Sequence, residues 1–276
     1  MRTKFDEQIQ KKGFLIAAHR GTFGANIMDN TFLSMDLAIK LGADMVEVDV
    51  MKANDGELYA FHTGKEIERF GKKFNITELN SDEIAKLDYL NAERQPSGRG
   101  VERLEDILRK CSKEAFINID RADKYFPEVF ALVEKLGIED KILMKSQPTD
   151  DIAEFLDKIS TKLMYMPIIR KIADLDKFLD KNINIVAVEI LFNSENHELI
   201  SKEFIQAMRE RNIHIWVNAM NLSAAEEFNY NARYDDDMSL EHDGKGWQWL
   251  LDNGVDILQT DWPYFLNQYR LNLNCK

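Results

Sequence analysis

Cysteine is scarce in this chain of 276 residues, which carries only Cys111 and Cys275. That excludes a disulfide framework and a thiolate zinc site, and it suits a reducing compartment. With five proline and 13 glycine residues, no low-complexity linker divides the chain. No apolar run approaches the roughly 18 residues of a membrane-crossing helix. The stretch Met1–Lys12 is polar and lacks the apolar core of a signal peptide. A cytoplasmic location is expected, or a periplasmic or secreted one if a leader was removed. Positive charge is in deficit: 36 Lys and Arg face 48 Asp and Glu, a net charge of −12. Such a surface repels phosphate backbones, and no basic patch offsets it, so nucleic acid is not an expected partner. A phosphate-bearing small molecule would need a metal or a focused cationic pocket.

What the chain does have is 45% hydrophobic residues, ordered as short apolar runs alternating with longer segments of helical spacing. The runs expected as strands are Phe14–Ala18, Met45–Val50, Ala115–Ile119, Ile142–Lys145, Leu163–Ile169, Ile185–Ile190, Ile213–Val217 and Val255–Gln259. Short, mostly apolar runs fit parallel strands buried on both faces. Between them lie expected helices such as Thr31–Leu41, with Gly42 just past its end. This rhythm predicts an α/β protein, a closed (β/α)8 TIM barrel spanning 1–276 as one domain, with a doubly wound open sheet as the alternative. Two stretches break the rhythm, about 64–100 after the second run and 221–244 after the seventh. Insertions after barrel strands fall on the active-site face and could form a substrate rim. The acidic run at Asp235–Asp237 reads as a solvated loop, since it lacks the ligand order of a calcium loop.

Strand ends of a barrel converge on one open face. Read in order, they supply His19 and Arg20, then Glu47 and Asp49, Asp120, Lys145, Glu189 and Asp261. Glu47 and Asp49 are two apart, so in a strand they point to one side. Two carboxylates there are costly unless they bind a cation or pair with bases. With Asp120 they make an oxygen-ligand set suited to Mg²⁺ or Ca²⁺. Downstream, Asp55-Gly56 is a two-residue hairpin signal. With those two as the turn, Asp49 faces His62; a bulge would shift the register by one. Two imidazoles, His19 and His62, would then stand near the carboxylates as an acid/base pair.

These pieces together resemble the glycerophosphodiester phosphodiesterase family of phospholipase-C-like barrels. They are Ala18-His19-Arg20-Gly21, Asp29-Asn30-Thr31, Leu41-Gly42-Ala43-Asp44 running into Glu47-Val48-Asp49, Asp55-Gly56 leading to Phe61-His62, Asn118-Ile119-Asp120, and Gly254-Val255-Asp256 leading to Thr260-Asp261-Trp262-Pro263. The resemblance implies a metal-dependent hydrolase with His19 and His62 as acid and base, and with cation ligands at Glu47, Asp49 and Asp120. It departs from the family at Asp29, where Glu is usual, and in three further places. Asp120 stands where Glu is common, Ala122 where Lys is common, and Thr63 where Asp usually follows the second histidine.

The expected reaction is hydrolysis of a glycerophosphodiester to glycerol 3-phosphate and an alcohol. Arg20, with Lys145 supplying the missing lysine's charge, is expected to hold the phosphate. Unperturbed imidazoles titrate near pH 6.5, so one could take a proton and the other give one. The nucleophile is water or the substrate's own neighbouring hydroxyl. The same chemistry on a lysophospholipid or a glycerol-phosphate polymer, and a non-catalytic phosphate sensor, are the alternatives. Glu189 is divided between the site and a structural pairing. Asp261 is expected as a turn former, Trp216 as pocket lining or core, and His197, His214 and His242 as structural or surface residues.

Overall fold

The computed structural model describes residues 2–159, 163–221 and 230–273. Cys275 and positions 222–229 of the second insertion lie outside them. Among the described residues nine strands form: β1 (Leu15–Ala18), β2 (Met45–Lys52), β3 (Leu58–Ala60), β4 (Phe116–Asp120), β5 (Ile142–Ser146), β6 (Met164–Ile169), β7 (Ala187–Ile190), β8 (His214–Asn218) and β9 (Ile257–Thr260). All but β3 run parallel, and β1 pairs with both β2 and β9, so the sheet closes on itself. Closure decides for the (β/α)8 barrel against the open sheet.

Side-chain alternation sorts the barrel into an outside and an inside. Val46, Val48 and Val50 face outward and pack under the helices. The inward positions change character along the axis. At the N-terminal end they are apolar: Ala17, Met45, Phe116, Leu143, Met164, Ala187 and Ile257. Two residues further along most of these strands they turn polar, with Glu47, Asn118, Lys145, Glu189 and Gln259 all buried, whereas β6 stays apolar at Met166. The floor is therefore oily and the mouth is charged.

The N-terminal stretch, read as merely polar, is the helix Arg2–Lys12. Its Phe5 and Ile9 join the apolar floor, and the Phe5 ring meets Phe116 edge-on at 5.2 Å. Two apolar residues a turn apart are too sparse a stripe to announce a helix in sequence. The final helix, Pro263–Leu273, also lies outside the expected set. Its Arg270 is buried against Asp44 and donates to the carbonyls of Phe14 and Gly42.

After β2 the chain rises above the rim and returns antiparallel as β3. The pairing is Val50 with Ala60, one residue short of the expected register. The cause is a three-residue loop, Asn54-Asp55-Gly56, closed by Ala53 N–H to the Glu57 carbonyl at 2.9 Å. Gly56 takes a left-handed φ of 92° in it, which only glycine adopts at no cost. The following insertion carries the short helices Glu66–Phe70 and Ser81–Ile84, the second closed by an Asn80/Glu83 capping box. It has an apolar cluster of its own, in which Phe61, Phe70 and Tyr89 stack. The Asp235–Asp237 run is not a solvated loop. Asp235 caps the helix Asp236–Glu241, and Asp236 is buried, accepting from Trp247 Nε1 and Thr260 Oγ1.

Candidate active site at the barrel mouth

Glu47 and Asp49 share the inward face of β2, and β4 is paired so that Asp120 lies beside Asp49. Carboxylate oxygens of the three lie within 4.8 Å of one another. Burial and the nearby Asp49 hold the Glu47 carboxyl well above the usual range. Burial also pushes Asp49 up, but Arg20, His62 and the Asn30 amide outweigh it and hold Asp49 below its ordinary value. Glu47 Oε2 accepts the Arg20 backbone N–H at 2.9 Å, while Oε1 is buried with no hydrogen-bond partner. A dry, crowded oxygen cluster with an orphaned acceptor is the donor chemistry of a hard divalent cation. Glu47, Asp49 and Asp120 therefore fit such an ion.

Around this cluster the backbone is bent into the left-handed region at Arg20, Asn30 and Arg121, with φ of 56°, 55° and 58°. Strain of this kind persists where the surroundings over-determine it. At Arg20 the bend is followed by Gly21, where a Cβ would sit 2.5 Å from the Ser34 carbonyl carbon. The guanidinium of Arg20 meets Asp49 Oδ2 at 2.9 Å. Asn30 grips Asp49 twice, donating from Nδ2 to Oδ2 at 2.8 Å and accepting the Asp49 N–H at 2.9 Å. Arg121 reaches Asp49 Oδ1 through Nε at 3.3 Å.

The two histidines are held differently. His19 Nδ1 lies 2.8 Å from Asp261 Oδ1, so Asp261 orients the ring and is more than the expected turn former. Asp261 is placed in turn by Asp236, which accepts its N–H at 3.2 Å. His62 has its Nδ1 on the Thr63 carbonyl at 3.0 Å. The residue opposite Asp49 is Phe61, whose N–H meets the Asp49 carbonyl at 3.1 Å. The predicted facing of Asp49 and His62 is therefore corrected: the loop shifts the ladder, and the chain leaves it after Phe61. His62 is still within electrostatic reach of Asp49, Arg20 and Arg121; burial, then the two arginines against Asp49, lower its pKa.

Lys145, expected at the phosphate, is buried with Nζ at 3.0 Å from Asp120 and 3.1 Å from Glu189. Burial alone would lower its pKa, but Asp120, Glu189 and Glu47 raise it, so it stays charged. Glu189 is further bound by Asn218, which Trp216 Nε1 steadies at 2.8 Å. Trp216 is core: it is fully buried in the floor cluster, with Lys145 Nζ 5.8 Å from its ring. His214 is structural, pairing with Asp6 and Asp256 at the opposite end, and His197 caps a turn through Nδ1. Arg121, Asn30, Asp261 and Asp236 are the contributors that sequence reading did not assign. Asn30, inside a motif, Asp261, after a strand, and Asp236, inside the acidic run, left a signal; Arg121 left none.

A glycerophosphodiester phosphodiesterase of Bacillus altitudinis is 27% identical over 149 residues, which is 51% of this chain and 60% of that enzyme. Over about half its length this chain is similar in sequence to glycerophosphodiester phosphodiesterases. It spans about half to three fifths of the length of the curated relatives it matches, 60% for two of them and 45% to 51% for three others. The fold agrees across nearly the whole chain. A glycerophosphoryl diester phosphodiesterase of Parabacteroides distasonis superposes with a TM-score of 0.72 at 14% identity, covering 94% of this chain and 87% of that one. A phosphodiesterase of Oleispira antarctica, solved with its product sn-glycerol-3-phosphate, gives 0.66 at 15% identity, covering 92% and 96%. A family model described as a domain of unknown function, DUF4996, matches residues 165–270. Within those residues lie Glu189, Asn218, Asp236 and Asp261, which support the barrel mouth from behind.

Proposed function

We propose that this chain hydrolyses a glycerophosphodiester to glycerol 3-phosphate and an alcohol. The observation that carries the reading is the convergence, at one barrel mouth, of three carboxylates within 4.8 Å of each other with Arg20 and two histidines beside them. Glu47, Asp49 and Asp120 would hold one Mg²⁺ or Ca²⁺, and when bound that ion supplies charge neutralisation at the diester's oxygens. The other roles belong to side chains. Arg20, fixed at its backbone by Glu47, presents a guanidinium to the phosphate. His62, with a lowered pKa, is the neutral imidazole that takes a proton from the nucleophile, which is water or a neighbouring substrate hydroxyl whose cyclic phosphate product water then opens. His19 gives a proton to the departing alcohol, with the Asp261 carboxylate 2.8 Å from Nδ1 as counter-ion to its charged form. Lys145 acts from below, holding Asp120 and Glu189 in place.

A lysophospholipid as the diester is favoured by one feature, the exposed aromatic side chains of Trp262, Tyr264 and Phe265 directly after Asp261. Among the described residues no helix is long and apolar enough to cross a membrane. The test is release of glycerol 3-phosphate from a panel that spans glycerophosphocholine, a lysophospholipid and a glycerol-phosphate polymer. Each is assayed with Mg²⁺, with Ca²⁺ and with chelator. Turnover that needs a cation and is lost with chelator supports the reading. No turnover of any diester with either cation would leave the phosphate sensor in its place.

A further inference from the structure

Three cations surround the carboxylate cluster, and they differ in what they have left to give. Lys145 is 3% exposed and lodged between two carboxylates. Arg20 is 14% exposed and committed to Asp49 and, more loosely, Asp29. Arg121 is 45% exposed, and its ion pair with Asp49 is the long one at 3.3 Å. Its position is set by the backbone. β4 ends at Asp120, whose carboxylate accepts the Arg121 N–H at 2.6 Å, and the left-handed φ of 58° at Arg121 breaks the strand's alternation. As a result the side chain of residue 121 turns to the mouth. That of Ala122 turns into the core, where it is fully buried with Val48 and Ile119 in one cluster. A long cationic side chain has no room at 122 and is already present at 121.

We propose that Arg121 is a phosphate-binding residue, which releases Asp49 to a divalent cation and takes the anionic oxygens of the substrate and of glycerol 3-phosphate. This rests on the phosphodiesterase reading above and deepens it. The exchange follows from charge. A divalent ion on Asp49 cancels what holds the guanidinium there, while the same ion draws the phosphate within its reach. A planar fork on a half-exposed stem suits a tetrahedral anion whose charge grows on hydrolysis.

The test measures two affinities by calorimetry on the full chain. Cation binding is titrated without phosphate, and glycerol 3-phosphate and inorganic phosphate are titrated with the cation present. Arg121→Gln is expected to weaken both anions by roughly 10- to 100-fold, the value of a charge-assisted contact. It should leave cation affinity equal or tighter, because a competing positive charge leaves Asp49. Arg121→Lys should recover part of the anion binding. Anion binding by Arg121→Gln at the parental affinity would overturn the assignment alone. So would loss of cation and anion together, which a phosphate contact cannot cause. A parent protein that binds the cation but neither anion would overturn the assignment and the reading beneath it.

Discussion

The two ends of the barrel treat the same residue types in opposite ways. At the floor, the acids Asp44 and Asp256 are matched. Asp44 meets Arg270 and Lys12 and accepts the Ile16 N–H at 2.9 Å, and Asp256 accepts the Ile215 N–H at 2.9 Å while facing His214. At the mouth, carboxylates crowd one another, and Glu47 keeps an oxygen without a partner. A matched acid stabilises the fold; a surplus of acid in a dry place costs stability unless a cation arrives. Asp44 and Glu47 are three residues apart in one motif, so sequence proximity says nothing about which job each has.

That contrast can be broken, most sharply at the mouth. His19→Ala or His62→Ala should cut turnover by about 10²- to 10⁴-fold while leaving the melting temperature near the parent's; a variant with parental turnover would remove that histidine from the reaction. At the floor the signs reverse. Asp44→Ala should destabilise the fold by about 3–5 kcal/mol, because Arg270 is left charged and buried, while the kcat of what remains folded is unchanged. Denaturant unfolding beside an activity assay checks both halves.

A smaller effect has the more telling direction. Burial and Asp49 raise the pKa of Glu47 in the fold. Its ionised form is therefore disfavoured there, and stability without cation falls as pH climbs above the ordinary glutamate value of 4.5. Glu47→Gln should then raise the melting temperature of chelated protein, by on the order of 1 kcal/mol, and abolish the further rise that Mg²⁺ or Ca²⁺ gives the parent. A Glu47→Gln protein that melts lower than the parent in chelator would mean that the mouth is as well matched as the floor. The smallest expected shift is in the pH profile. His62 must be neutral to act as base and its pKa is lowered, so the acidic limb of kcat/KM should lie below pH 6.5. Arg121→Gln should move that limb upward, since one of the charges that lowers it is gone.

Much of this was legible in the sequence because it depends on short-range periodicity. The spacing of Glu47 and Asp49 is the period of a strand, and their shared inward face follows from it. The runs that became β1, β2 and β4–β9 are where expected to within about two residues. What failed, failed for reasons of context. Asp55-Gly56 signals a tight hairpin, but the loop also took in Asn54, and the register slid by one. The helix Arg2–Lys12 shows two apolar residues, too few to notice, because it covers only the narrow end of a barrel. Arg121 could not be found, since its direction depends on one left-handed dihedral. The chain alone thus determined the strand rhythm, the acid pair of β2 and the histidine and arginine at the end of β1, all set by bonds and sterics between near neighbours. Only the tertiary structure decided which acids are matched and which are in surplus, because Coulomb energy and desolvation depend on what the closed barrel brings within a few ångströms, whatever its distance along the chain.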